Sequence, residues 1–365
     1  MGERFVLIAE DDQQAIESWE RDIREFNRAG GEVSFTAEYA RNCRDALRAL
    51  ERVRVDCAVV DLRMPVDAGS QGRNNDPVGN EVLERVLLDV GIPAVVYSGY
   101  PQEVSARVRA SRILVVPKKG DGGAEVLAWL AQHESLMSAM DVTRARIQRE
   151  SARLFSNSIW PRWEDKWQRM ADRDQLAEVI TRQIVSHVAE QLTLSPNDSH
   201  PEEFYIVPPL DVDRLGTGDL VKIDEKVYVV VSPRCNMARD SYPAHLILAP
   251  CKPMDEEWSS MRERFAGSAK EQKSAADQLR RFATQDFSLS SHFLPPCDAA
   301  GPWLVQFKDV LTVESRTAVP DLLRTRFASI ASQFVPNLVQ RYPAYLGRFG
   351  QPDLDTDELR ARVCK

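Results

Sequence analysis

The stretch CAVVDLRMP, Cys57 to Pro65, decides how the first third of the chain reads. Four apolar residues lead into an aspartate, Asp61, and a proline then stops the strand. An all-apolar run of this kind reads as a central parallel strand buried on both faces. Its last residue falls at the carboxyl edge of the sheet, where open α/β sheets place their ligands. A carboxylate left unpaired there is expensive, so the neighbouring segments must supply it with partners.

Upstream, FVLIAEDD carries the apolar run Phe5 to Ala9 into three acids, Glu10, Asp11 and Asp12. A helix from about Gln14 to Phe26 follows, with Ile16, Trp19, Ile23 and Phe26 at helical spacing. EVSFTAEYA is a second strand and RNCRDALRALERV a second helix. Downstream of Pro65, DAGSQGRNNDPVG is a polar surface loop. NEVLERVLLDV (helix), IPAVVYSGY (strand), PQEVSARVRA (helix) and RILVVPKKG (strand) complete five βα units, hence a parallel sheet with helices on both faces. Strand ends on one edge converge, which gathers Glu10, Asp11, Asp61, Ser98 and Lys118. The carboxylates offer hard oxygen ligands suited to Mg²⁺. Lys118 can pair with a carboxylate or a phosphoryl oxygen, and Ser98 can donate to the same oxygen. Such a site suits phosphoryl transfer onto a carboxylate.

FVLIAEDD, VVDLRMP, VVYSG and the lysine of VVPKK resemble the receiver domain of two-component response regulators, over roughly residues 4 to 132. The resemblance implies a flavodoxin-like, doubly wound, five-stranded parallel sheet. It implies Asp61 as phosphoacceptor, and Glu10, Asp11 and Asp61 as Mg²⁺ ligands with the backbone carbonyl of Arg63. Ser98 becomes the switch hydroxyl, Lys118 the lysine of the site, and a histidine kinase or other phosphodonor the partner. Asp12 is expected to be a neighbour of the ligands. Three departures stand out. The Pro65–Gly79 loop is longer than is usual in the family, Lys119 replaces a proline after the lysine, and Val115 stands where an aromatic switch residue is usual. The long loop is expected to cover the site. The alternative is an inactive receiver kept as a scaffold.

With 365 residues, two or three domains are expected. Hydrophobic content of 43% and charged content of 28% are those of an ordinary globular chain. A net charge of −8 and a pI near 5.4 argue against a dominant nucleic-acid surface, without excluding a local one. No apolar run approaches the ~18 residues of a membrane span, and no secretory signal opens the chain. Six cysteines without a CxxC pair fit free thiols in a reducing compartment, so a cytoplasmic location is expected.

The expected organisation is a receiver core over 1–123 with its last helix at 124–133, a helical connector over 134–200, and an α+β C-terminal domain over 201–365. The pattern from Ala124 fits either one long helix, as a stalk or dimer contact, or two helices broken near His133. Trp160, Trp163 and Trp167 lie at spacing for one helix face, expected as core at a domain junction. The connector lacks the short turn and basic second helix of a helix-turn-helix. Beyond the polar segment Ser195 to Glu203, short β patterns broken by Gly and Pro suggest a small barrel, with a tight hairpin turning at Asp224 to Lys226. A charged helical insert spans Glu256 to Thr284, PWLVQFKDVLTV returns to strand, and the end from Pro320 reads as amphipathic helix.

GDLV, VYVVVSP and HLILAP loosely resemble the SH3-like barrel of PemK/MazF-type toxins, over about forty residues. The arginine expected of that ribonuclease site is missing between GDLV and VVVSP, so the resemblance implies the barrel alone. The C-terminal half also looks like uncharacterised regions of receiver proteins associated with bacterial defence. Cys235, Cys251 and Cys297, with His245 or His292, have the ligand chemistry for zinc but not the spacing. Arg234, Arg239 and Arg262 read as solvated charge. The expected function is a phosphorylation-regulated signalling protein whose receiver controls a C-terminal effector or protein-interaction domain. A receiver-gated ribonuclease-like effector is the competing reading.

Overall fold

The computed structural model describes residues 2–364 apart from 53, 70–75, 112, 120–121, 169–171, 194–197, 210–212, 240, 299 and 349–353. The chain forms two compact units, Met1–Glu190 and Gln191–Lys365.

In the first unit β1 (Gly2–Ala9), α1 (Gln13–Arg28), β2 (Val33–Ala40), α2 (Cys43–Arg52) and β3 (Cys57–Val60) alternate as the apolar pattern predicts. They are followed by α3 (Gly79–Arg85), β4 (Ala94–Ser98), α4 (Ala106–Ala110), β5 (Leu114–Pro117) and α5 (Gly122–Gln132). The five strands are parallel, in the order β2-β1-β3-β4-β5. That is the flavodoxin-like doubly wound order, whose switch point lies between β1 and β3. Strand alternation divides the core. Leu7, Val60 and Val96 pack towards α2, α3 and α4, while Val6, Val59, Val95 and Val116 pack towards α1 and α5. Asp12 caps α1, accepting from the backbone N–H of Gln14 at 2.9 Å and of Ala15 at 3.0 Å.

The helical region breaks at His133, whose Nδ1 lies 2.8 Å from the Trp129 carbonyl. The first half of α6 (Glu134–Leu154) is no free stalk. Arg4, buried at the amino end of β1, holds Glu134 through two bonds of 2.6 and 2.7 Å and also pairs with Asp141. Arg144 donates to the carbonyls of Val90 and Gly91 at 2.9 and 3.0 Å. Beyond Leu154 the backbone passes through π, 3₁₀ and π turns before α7 (Arg173–Thr193). These turns change the angular step per residue, so the three tryptophans do not share a face. Trp167 is buried and Trp163 packs beside it, but Trp160 is 63% exposed against Phe155. The expectation of three core indoles is corrected to two.

The second unit is a curled antiparallel sheet flanked by helices. Its elements run β6 (Tyr205–Ile206), β7 (Asp219–Ile223), β8 (Lys226–Val230), α8 (Arg234–Met237), β9 (His245–Pro253), α9 (Asp255–Phe265), α10 (Ala269–Ala283) and β10 (Ser291–Leu294). Then come β11 (Trp303–Gln306), β12 (Leu311–Glu314), α11 (Ser315–Thr325), β13 (Ala328–Ile330), α12 (Val335–Leu346) and α13 (Thr356–Val363). The order is β10-β11-β9-β8-β7-β13-β6, with β12 on the other end of β9. Asp224 and Glu225 turn the β7–β8 hairpin, both at positive φ (46° and 61°), as a two-residue turn matching strand twist requires. The Tyr205 hydroxyl, on one edge strand, donates to the Pro295 carbonyl just past the other at 2.8 Å, which curls the sheet. β13 corrects the reading of this segment as helix: Ser329 and Ile330 pair with β6, and Ala328 and Ser329 with β7.

His292 on β10 is 2% exposed, and neither ring nitrogen has a hydrogen-bond partner among the described residues. Burial, aided by the nearby Arg341 guanidinium, pushes its pKa down to about 3. An unfolded histidine takes up a proton below about 6.5, while this one stays neutral until about 3. The unfolded state therefore binds more protons across that window. Stability is full above it and falls by up to about 1.4 kcal/mol per pH unit as pH drops through it. Urea unfolding at several pH values is expected to show this slope, and His292→Leu is expected to flatten it. An equal slope in the variant would contradict the assignment.

Candidate functional site

β1, β3 and β5 end on the same edge of the sheet, with β4 between the last two, and the residues just after them meet. Glu10, Asp11 and Asp61 each present an oxygen within 4.8 Å of the others. Glu10 is 1% and Asp61 6% exposed, so both carboxylates are largely out of water. Lys118 reaches between them, with Nζ 2.5 Å from Glu10 Oε2 and 2.7 Å from Asp61 Oδ2. Burial raises the pKa of Glu10, the Asp61 charge adds to that, and Lys118 opposes it. Burial pulls the Lys118 ammonium down, but the charges of Glu10 and Asp61 outweigh it and leave its pKa raised. Both directions express one demand: three carboxylates against one ammonium call for further positive charge. A hard divalent cation fits that donor set.

The other candidates lie around this cluster. The Arg63 backbone N–H points to Asp61 Oδ1 at 3.4 Å. Ser98, fully buried at the end of β4, accepts from the Tyr100 N–H at 3.2 Å, and its carbonyl accepts from the Lys118 N–H at 3.0 Å. Val115 pairs with Val96 across the β4–β5 ladder. Tyr97 lies edge-on to Trp19 at 5.1 Å. α3 starts hard against the strand end. The Gly79 N–H donates to the Leu62 carbonyl at 3.0 Å, and a Cβ on Gly79 would sit 2.1 Å from the Asp61 carbonyl oxygen. Residues 70–75 of the long loop, expected to cover the site, lie outside the described residues.

One feature escaped the sequence reading. The Arg63 guanidinium grips both carboxylate oxygens of Glu103, with Nε–Oε2 at 2.8 Å, and its Cζ lies 3.5 Å from the centre of the Tyr100 ring. Asn80 ties the same turn down, donating to the Glu103 carbonyl at 3.0 Å and accepting from the Ser105 N–H at 2.8 Å. This clasp joins the loop after Asp61 to the turn after Ser98. Its only trace in the sequence is an acid and an aromatic following the β4 strand.

Cys235, Cys251, Cys297, His245 and His292 are not gathered. Among the described residues the one group of three or more His, Cys, Asp or Glu positioned for an ion is Glu10, Asp11 and Asp61. Cys235 is exposed, whereas Cys251 and Cys297 are buried as core thiols. Asp219, at the start of β7, is satisfied by Arg326 at 2.9 Å and by the Gly216 N–H at 2.7 Å, a structural arrangement inside the sheet.

No protein-family model matches the chain, and no curated protein matches it. Several solved structures resemble its N-terminal part. A signal receiver domain of a LuxO repressor protein from Vibrio parahaemolyticus is 14% identical, over 39% of this chain and 97% of that one, with a TM-score of 0.30. A CheY-like receiver domain from Methanospirillum hungatei is 19% identical, over 38% and 98%, at 0.29. The phosphorylated cyanobacterial phytochrome response regulator RcpA is 18% identical, over 38% and 92%, at 0.26. By strand order, the N-terminal part of this chain has the flavodoxin-like receiver fold. No described helix is long and apolar enough to cross a membrane.

Proposed function

We propose that the chain is a phosphorylation-regulated signalling protein whose Asp61 accepts a phosphoryl group. The observation that carries this reading is the buried Glu10–Lys118–Asp61 cluster at the carboxyl edge of the sheet. In the step, an Asp61 carboxylate oxygen forms a bond to phosphorus as the bond from phosphorus to the donor's leaving group breaks. Lys118, already paired with Asp61, stays within reach of the incoming oxygens and neutralises their charge. Ser98 exchanges the Tyr100 N–H for a phosphoryl oxygen, to which its hydroxyl donates. Glu10, Asp11 and Asp61, with the Arg63 carbonyl, would hold Mg²⁺, which would further neutralise the phosphoryl charge. A histidine kinase or a small phosphodonor supplies the group, in the cytoplasm. Phosphoryl incorporation from acetyl phosphate, and its loss in Asp61→Asn, tests the reading.

In this proposal residues 1–123 form the receiver core, 134–200 a connector, and 201–365 an effector or protein-interaction domain. The signal leaves through the clasp, because Val115 is β-branched and has few rotamers through which to act. When Ser98 turns towards the phosphoryl group, it releases the backbone of Tyr100, whose ring lies against Arg63. Beryllofluoride with Mg²⁺ is therefore expected to change hydrogen exchange across residues 124 to 170 in the full chain. Tyr100→Ala is expected to reduce that change while leaving phosphoryl incorporation intact. If exchange alters only within residues 1 to 123, the signal does not take this route.

A further inference from the structure

α7 is 21 residues long, about 31 Å. None of its described residues is buried, although a helix docked on a protein normally owes its stability to a covered stripe. Its inward contacts, Leu176, Ile180 and Ile184 among them, are only partly covered by Leu154, Ile159 and Trp167. Beside that contact runs an open groove of about 600 Å³, lined by Leu154 of α6 and by Val179, Arg182, Gln183, Ser186 and Glu190 of α7. The α7 residues recur at three- and four-residue spacing and so share one face.

The order of charges on that face selects its occupant. Arg182, which also pairs with Glu178 one turn earlier on the same helix, lies four residues before Ser186 and Glu190 four residues after it, with a small side chain at the midpoint. A helix antiparallel to α7, related by a two-fold axis at Ser186, would set each Arg182 against the other's Glu190. A parallel copy would set like against like. We propose that this face is a contact between two copies of the chain, with the two α7 helices antiparallel across the groove. The contact is isologous, and closes with two identical ion pairs and four helices around one seam.

The test uses the full chain in analytical ultracentrifugation. A dimer is expected, and Arg182→Glu and Glu190→Arg are each expected to weaken it at least about tenfold, by placing like charges opposite one another. The double variant Arg182→Glu/Glu190→Arg is expected to recover the dimer, which separates an interface effect from a folding defect. Independently, oxidation of Ser186→Cys is expected to give a disulfide-linked dimer beyond the background of the exposed Cys235 and Cys364 in the unaltered chain. A chain that stays monomeric at high micromolar concentration would overturn the proposal. So would a dimer indifferent to both single swaps, or a double variant that fails to recover.

Discussion

Asp61→Asn is expected to lose phosphoryl incorporation from acetyl phosphate completely, because the amide cannot serve as the nucleophile in this transfer. Asp11→Ala should retain the reaction but raise its Mg²⁺ requirement at least about tenfold, by removing one hard ligand. Intact-protein mass spectrometry reads both. The two variants separate the accepting group from the groups beside it. Incorporation that persists at full level in Asp61→Asn would place the acceptor elsewhere and remove the basis for the proposed mechanism.

Gly79→Ala is expected to cost about 3 kcal/mol, a severe case of overpacking against backbone. The added Cβ would lie 2.1 Å from the Asp61 carbonyl oxygen and 2.8 Å from Leu62 Cα. Neither atom belongs to a side chain that can rotate away, so α3 or the Asp61 turn must shift. The variant should unfold at lower urea, and its folded fraction should take up phosphoryl groups more slowly because Asp61 is displaced from Lys118. Unchanged stability with unchanged incorporation would show that the packing at this turn is looser than the geometry implies.

The N-terminal parallel sheet was legible because its information is local. Each apolar strand runs straight into the residue it delivers: Ala9 into Glu10, Val60 into Asp61, Pro117 into Lys118. Once the alternation fixes a parallel sheet, the strand ends converge without further information. What stayed hidden depends on side chains from separate loops or on irregular backbone. The grip of Arg63 on Glu103 joins two loops forty residues apart, and no periodicity encodes it. Trp160 departs from the helical-spacing expectation because its segment runs through π and 3₁₀ turns, where a regular helical step does not hold. β13 is hidden in the sequence because three residues between helical patterns carry too little alternation to identify a strand. In the second unit the chemistry-bearing residues are dispersed: His292 is in the core, Cys235 at the surface, and Asp219 is committed to Arg326.

The most direct test maps the phosphoryl group in the unaltered full-length chain. After incubation with acetyl phosphate and Mg²⁺, borohydride reduction converts an aspartyl phosphate to homoserine, which peptide mass spectrometry locates. The account predicts homoserine at position 61, present with Mg²⁺ and absent when the metal is chelated. Homoserine at another position, or none with Mg²⁺ present, would contradict it.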